Sequence, residues 1–120
     1  MYKVLLVDDE YMITEGLKRL IPFEKWDMEV VATANHADEA LDYVREHPVD
    51  VVISDVNMPD KTGLEMIGEM KELLPDAYYI LLSGYQEFDY VKKAMNLNVV
   101  DYLVKPVDKV ELEHLLEKIL

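Results

Sequence analysis

The sequence predicts an α/β protein built on an open parallel sheet. Strand-length apolar runs alternate along the chain with segments of helical spacing, and this β-α pair occurs five times. Four of the five runs are almost continuously apolar, which is typical of parallel strands covered on both faces. Pro48, Pro59, Pro75 and Pro106 fall between the predicted elements. Because parallel crossovers are right-handed, this order places helices on both faces of the sheet.

Each strand is predicted from a short apolar run that ends at a polar or turn-forming residue. In chain order the runs are 3–7, 29–34, 51–54, 78–83 and 99–104. Each helix is predicted from apolar residues spaced three, four or seven apart, which form one stripe on a helix surface. In chain order the stripes are Ile13, Leu17 and Leu20; Ala37, Ala40, Leu41 and Val44; Leu64, Ile67 and Leu74; Phe88, Val91 and Met95; and Leu112, Leu115 and Ile119.

The composition excludes several classes of protein. The 120 residues suffice for one domain with one core, so we expect a single domain over residues 1–120. A net charge of −13, from 25 acidic and 12 basic residues, argues against nucleic-acid binding by this chain alone. The absence of cysteine excludes disulfides and thiolate metal sites. No apolar run approaches membrane-spanning length, and we expect a cytoplasmic protein with no membrane contact.

Polar side chains follow four of the predicted strands at the point where each strand ends. They are Asp8, Asp9 and Glu10 after the first, Asp55 after the third, Ser83 after the fourth and Lys105 after the fifth. Singly, an aspartate there often caps a helix, and Ser-Gly or Lys-Pro often forms a turn or loop. In a parallel sheet, however, all these groups lie at one edge, where such folds place their sites. Clustered oxygen ligands suit Mg²⁺, and a carboxylate is a nucleophile toward phosphorus.

Four motifs resemble the receiver domain of bacterial two-component response regulators. They are "VDDE" (7–10), "SDVNMPDKTGLEM" (54–66), "LSGY" (82–85) and "DYLVKPV" (101–107). Their order and spacing cover the whole chain. The resemblance implies a flavodoxin-like (βα)5 fold with strand order 2-1-3-4-5. It also implies a regulatory module that catalyses its own phosphorylation, rather than an enzyme acting on other substrates.

The resemblance further implies a role for each motif residue. Asp55 is expected to accept the phosphoryl group and Lys105 to contact it, with a cis bond to Pro106. Mg²⁺ is expected to be bound directly by Asp9 and Asp55, mainly through water by Asp8, and by the backbone carbonyl of Asn57. Gly63 matches the glycine that the family has eight residues beyond the acceptor.

The resemblance also predicts a switch, an output surface and partners. Ser83 should bond the phosphoryl oxygen, and Tyr102 should turn inward as Ser83 moves. The surface that changes would belong to the fourth helix, fifth strand and fifth helix, on which receivers also pair when phosphorylated. A sensor histidine kinase is the expected donor. Residues 83–103 and the connection 21–34 are similar to receivers joined to AraC-type DNA-binding domains, although no output domain is expected within these residues.

Three other functions remain to be weighed against the phosphorylated receiver. A phosphatase of the haloacid dehalogenase type needs an acid two residues after its nucleophile, where this chain has Asn57. A flavin mononucleotide binder needs a phosphate-cradling first loop, whereas "DDEYMITEG" would repel phosphate. A receiver-like interaction module that works without phosphorylation is the third.

One departure from the family pattern is Thr62, which stands where an Asp or Asn commonly precedes the glycine.

Overall fold

The computed structural model describes residues 1–84 and 101–119, in which five parallel strands form one sheet of order β2-β1-β3-β4-β5. The strands are β1 (Tyr2–Val7), β2 (Met28–Ala34), β3 (Val51–Asp55), β4 (Tyr78–Ser83) and β5 (Asp101–Val104). The predicted strand order and flavodoxin-like topology are therefore confirmed. Residues 99–100, which were included in the predicted fifth strand, lie outside the described residues.

Helices connect the strands as the apolar stripes predict. They are α1 (Tyr11–Leu20), α2 (Ala37–Glu46), α3 (Gly63–Leu73) and the C-terminal helix (Lys109–Ile119). A short 3-10 turn at Phe23–Trp26 lies between α1 and β2 and buries Trp26. The predicted stripe of Phe88, Val91 and Met95 lies outside the described residues. Within the described part of the chain, no helix is long and apolar enough to span a membrane.

The sheet separates two apolar layers, because successive residues of a strand point to opposite faces. On β1, Leu5 and Val7 pack with the buried faces of α2 and α3. Val4 and Leu6 pack on the other side with buried residues of α1 and the C-terminal helix. Both faces of the central strands are thus covered, which explains why their sequences are almost continuously apolar.

The strand register brings the polar strand ends to one edge of the sheet. Aligned neighbours at this edge are Val7 with Ser54, Asp55 with Leu82, and Ser83 with Val104. The residues that follow β1 and β5 leave the sheet at the same level as Asp55 and Ser83. The fold therefore gathers the residues singled out in the sequence before any side-chain contact is considered.

Candidate functional site

An acidic cluster follows β1 and consists of Asp8, Asp9 and Glu10. One carboxylate oxygen of each lies within 4.8 Å of the others. Asp8 is buried, whereas Asp9 and Glu10 are exposed. The turn is fixed by the backbone, because Asp8 N–H donates to the Ala34 carbonyl (3.0 Å) and Glu10 N–H donates to Asp8 Oδ1 (2.9 Å). These three oxygen donors could hold a divalent cation.

Asp55 ends β3 beside this cluster and is only 4% exposed. Burial, and next the charge of Asp8, raise the pKa of Asp55 to about 6, although Lys105 and the backbone N–H of Asn57 act in the opposite direction. The carboxylate is therefore ionised at neutral pH, but its charge is poorly solvated. A buried anion of this kind is stabilised by any cation that reaches it.

Lys105 is a cation shared by two aspartates. Its Nζ donates to Asp8 Oδ2 at 2.8 Å and lies 3.4 Å from Asp55 Oδ1. Burial lowers the pKa of Lys105, but the hydrogen bond to Asp8 and the charges of Asp55 and Asp8 outweigh it, so that the pKa is raised. The backbone also fixes this residue, because Lys105 N–H donates to the Ser83 carbonyl at 2.6 Å. The Lys105–Pro106 bond is cis, as the resemblance implied.

The remaining predicted site residues lie around this centre. Ser83 is completely buried at the end of β4. Tyr102 on β5 is half-buried and packs against the core layer that contains α2 and α3. Asn57 is exposed, two residues after Asp55, in the loop between β3 and α3. Tyr85, the last residue of the "LSGY" motif, lies outside the described residues.

Gly63 is required by close packing rather than by an unusual backbone angle. A Cβ atom at this position would collide with the carbonyl oxygen of Asp55 and lie 3.1 Å from the Val56 Cα. Gly63 N–H donates to the Val56 carbonyl at 2.8 Å. The first turn of α3 is thereby held directly against the backbone of Asp55.

Some features of this site were not evident in the sequence. Glu10 was noted as a strand-end acid, but it was not assigned to the metal site, although its carboxylate lies with Asp8 and Asp9. The pairing of Lys105 with Asp8 was also missed, because the two are 97 positions apart in the sequence. In the sequence, the position of Lys105 after β5 is the one indication of a positive charge beside the acids.

The fold and this edge together define a class of α/β protein with an acidic strand-end site. Residues 4–117 match the response regulator receiver domain family, and the chain belongs to it. It is therefore a receiver domain of two-component signalling, as the motifs predicted. The receiver domain of AraT, a response regulator from Geobacillus stearothermophilus, is 41% identical with a TM-score of 0.91; the alignment covers 98% of this chain and 92% of that one.

Curated relatives point to longer regulators. A response regulatory protein of Staphylococcus epidermidis is 43% identical over 117 residues, covering 98% of this chain and 46% of that protein. The transcriptional regulatory protein HptR of Staphylococcus aureus is 39% identical over 119 residues, covering 99% and 46% respectively. The chain thus spans about half the length of these relatives. A two-component transcriptional regulator AraC from Clostridium phytofermentans is 29% identical, with a TM-score of 0.91 and coverage of 99% and 92%.

Proposed function

We propose that this receiver accepts a phosphoryl group on Asp55 from a sensor histidine kinase, in a reaction that requires Mg²⁺. The observation that carries the proposal is the direct contact of Lys105 with both Asp8 and Asp55 beside the acidic cluster. A buried carboxylate next to other acids and a cation has the groups that phosphoryl transfer needs, since that reaction depends mainly on positioning and charge.

The donor set fits Mg²⁺, which receiver domains bind in general. Among residues 1–84 and 101–119, the group of side chains that could hold a metal consists of carboxylates, with no histidine in it, and the sequence contains no cysteine. Asp8, Asp9, Asp55 and the backbone carbonyl of Asn57 would hold the ion. The Glu10 carboxylate lies within 4.8 Å of those of Asp8 and Asp9. When bound, the ion neutralises charge on the phosphoryl oxygens and on the acids.

Asp55, Lys105 and Ser83 have separate roles in the proposed phosphoryl transfer. A carboxylate oxygen of Asp55 attacks phosphorus and forms a P–O bond. The P–N bond of a phosphohistidine, or a P–O bond of a small donor such as acetyl phosphate, breaks, and its electron pair leaves with the donor. Lys105 is placed to exchange part of its contact with the aspartates for a phosphoryl oxygen. The hydroxyl of Ser83 is proposed to bond another phosphoryl oxygen.

An apolar groove beside the site supports a protein donor. Its lining comes from α1 and from the segment after β5, and includes Met12, Ile13, Leu17, Val107 and Lys105. Met12 is largely exposed although it is apolar. A kinase domain that brings its phosphohistidine to Asp55 must cover this edge, and the groove offers it apolar contact area.

The output is proposed to be transcription, through a DNA-binding domain of AraC type. HptR is named a transcriptional regulatory protein and is about twice as long as this chain. The structurally similar two-component transcriptional regulator AraC aligns with 99% of this chain. The strongly acidic receiver would not itself bind DNA. Tyr102 would carry the change from Ser83 to the surface of β5, the C-terminal helix and the predicted helix before β5. Exposed Val104 and Val110 give this surface apolar contacts for a partner or for a second receiver.

Intact-mass spectrometry after incubation with acetyl phosphate tests the proposal. Wild type with Mg²⁺ should gain one phosphoryl group, and the gain should disappear with a chelator or in Asp55→Asn. The exposed Asp76→Asn is the matched control and should label as wild type does. Labelling that survives in Asp55→Asn, or its absence in folded wild type, would refute the proposal. The latter would favour an interaction module that works without phosphorylation.

A further inference from the structure

The turn Pro59–Thr62 departs from the family pattern and has no role in the function proposed above. It belongs to the loop that joins β3 to α3 and carries Asn57. The start of this loop is held by Val56 N–H, which donates to the Leu82 carbonyl at 2.9 Å. Its end is held by Thr62, whose side chain and Glu65 form a reciprocal capping box at the start of α3. The middle of the loop needs a separate anchor.

Lys61 provides that anchor by contacting two helices. Its Nζ lies 2.5 Å from Glu69 Oε2 on α3 and 3.4 Å from Asp38 Oδ1 in the first turn of α2. The side chain is 27% exposed, so most of its length lies against the protein. The hydrogen bond to Glu69 is the main cause of a raised pKa of Lys61. Its own N–H donates to the Pro59 carbonyl at 2.8 Å, which tightens the turn.

This pairing differs from most others in the protein. The pairs Lys18–Glu15, Arg45–Asp42 and Lys109–Glu113 each join residues of one helix. Within residues 1–84 and 101–119, only Lys105 and Lys61 form ion pairs that connect separate elements. The first of these lysines lies in the site, and the second lies in the loop that borders it.

We propose that Lys61 is a positioning residue that holds the β3–α3 loop so that the Asn57 carbonyl is ready to bind the cation. This inference rests on the proposed function, since it concerns the same site. Asp60, with φ of 69°, is in the left-handed region, which a non-glycine residue adopts at a cost. Anchors at Lys61 and Thr62 on its C-terminal side keep the loop in this conformation. Without the Lys61 pairs, part of the cation's binding free energy would be spent on ordering the loop.

A charge-neutralising substitution separates anchoring from simple electrostatics. Lys61→Met removes a positive charge near an acidic site, so electrostatics alone would tighten Mg²⁺ binding. Loss of the anchor would weaken it. Arg45→Met is the matched control, because it removes an equal charge and an ion pair that lies within α2. Lys61→Arg keeps both pairs within reach and should retain the affinity of wild type.

Titration calorimetry with Mg²⁺ alone is the test. We expect Lys61→Met to weaken binding about three-fold to five-fold, the range available to a partly exposed ion-pair network. In the Mg²⁺-free protein, the amide resonances of Asn57 and Met58 should also shift in Lys61→Met and not in Arg45→Met. If Lys61→Met folds poorly, the double variant Lys61→Glu with Glu69→Lys replaces it in the test. This variant restores one ion pair in the reversed direction, so its Mg²⁺ affinity should recover part of the loss expected for Lys61→Met.

The outcomes distinguish this inference from the proposed function. If wild type binds Mg²⁺ and Lys61→Met binds it equally or more tightly, the positioning role is wrong while the proposed function stands. An equal loss of affinity in Arg45→Met would also overturn it, because the effect would then not depend on the loop. If wild type takes up no Mg²⁺, both proposals fall.

Discussion

The ammonium of Lys105 donates to the buried carboxylate of Asp8 at 2.8 Å, across 97 positions of sequence. Asp8 is 2% exposed, so its charge is compensated by this lysine rather than by water. The same ammonium lies 3.4 Å from Asp55. One lysine thus balances the charges of two buried acids. A phosphoryl group bound at this site would compete with both carboxylates for the Lys105 ammonium.

Removing this lysine should destabilise the Mg²⁺-free protein. Lys105→Met leaves Asp8 and Asp55 without a counter-charge, and we expect the free energy of unfolding to fall by roughly 2 kcal/mol, less than for a fully buried pair because Lys105 is partly exposed. Chemical denaturation in a chelating buffer measures this. Lys18→Met, which breaks an exposed pair with Glu15, should change stability much less. Equal losses in the two variants would contradict the shared-cation account.

The stability of the Mg²⁺-free protein should depend on pH through Asp55. Its pKa is raised to about 6 in the folded state, against roughly 3.9 in an unfolded chain. The folded state therefore binds this proton more tightly, and the stability it contributes is lost as pH rises from about 4 through about 6. Asp55→Asn should be more stable than wild type at pH 8, by no more than about 3 kcal/mol.

Denaturation of wild type and Asp55→Asn across the pH range, in the presence of a chelator, tests this pH dependence of stability. The difference between wild type and Asp55→Asn should shrink as pH falls and should vanish below about pH 4. Asp76→Asn, at an exposed position, serves as the control and should follow wild type throughout. A constant difference at every pH would show that Asp55 does not titrate as the structure implies.

The two glycines of α3 should respond oppositely to alanine. At Gly63 a Cβ would collide with the Asp55 carbonyl, so Gly63→Ala should displace the loop and destabilise the protein by about 1–3 kcal/mol. At Gly68 an added Cβ would meet no atom of the described residues within 4 Å beyond its chain neighbours and its own helix backbone. Gly68→Ala should therefore stabilise the helix by about 0.5–1 kcal/mol. Thermal unfolding compares the pair. A tolerated Gly63→Ala would mean that α3 does not pack against Asp55 as described.

Magnesium should raise the melting temperature by mass action. At a concentration one hundred times the dissociation constant, the expected stabilisation is about 2.7 kcal/mol. Asp9→Asn should lose most of this stabilisation, because the exposed Asp9 carboxylate is available to the ion. Calcium at the same concentration and ionic strength provides a comparison with a larger cation. Identical melting of wild type with and without millimolar Mg²⁺ would contradict the metal site.

The sequence was sufficient for the sheet because its strands are buried on both faces. Short apolar runs such as 51–54 and 78–83, separated by prolines from the helical stripes, are typical of buried parallel strands. Strand order followed from the resemblance, and the placement of Asp55, Ser83 and Lys105 at one edge followed from parallel pairing. One boundary differs slightly from the prediction: β1 begins at Tyr2, whose N–H donates to the carbonyl of Asp27, the residue before β2.

Contacts between side chains of different elements could not be predicted. The pairs of Lys61 with Glu69 and Asp38, and of Lys105 with Asp8, depend on how loops lie against helices, and sequence spacing contains no such information. The turn around Thr62 was recognised as a departure from the family pattern, but its capping box was not. Glu10 is adjacent to Asp8 and Asp9 in the sequence, but the resemblance assigns it no role, so its place in the acidic cluster is not predicted.

A crystal structure with Mg²⁺ and beryllofluoride, a mimic of the phosphoryl group, tests the central claim most directly. The account predicts beryllium attached to an Asp55 carboxylate oxygen, the cation bound by Asp9, Asp55 and the Asn57 carbonyl, and Lys105 turned toward a fluorine. It would be contradicted by crystals soaked at saturating concentration in which Asp55 carries no mimic and Lys105 still contacts Asp8 and Asp55 as described above.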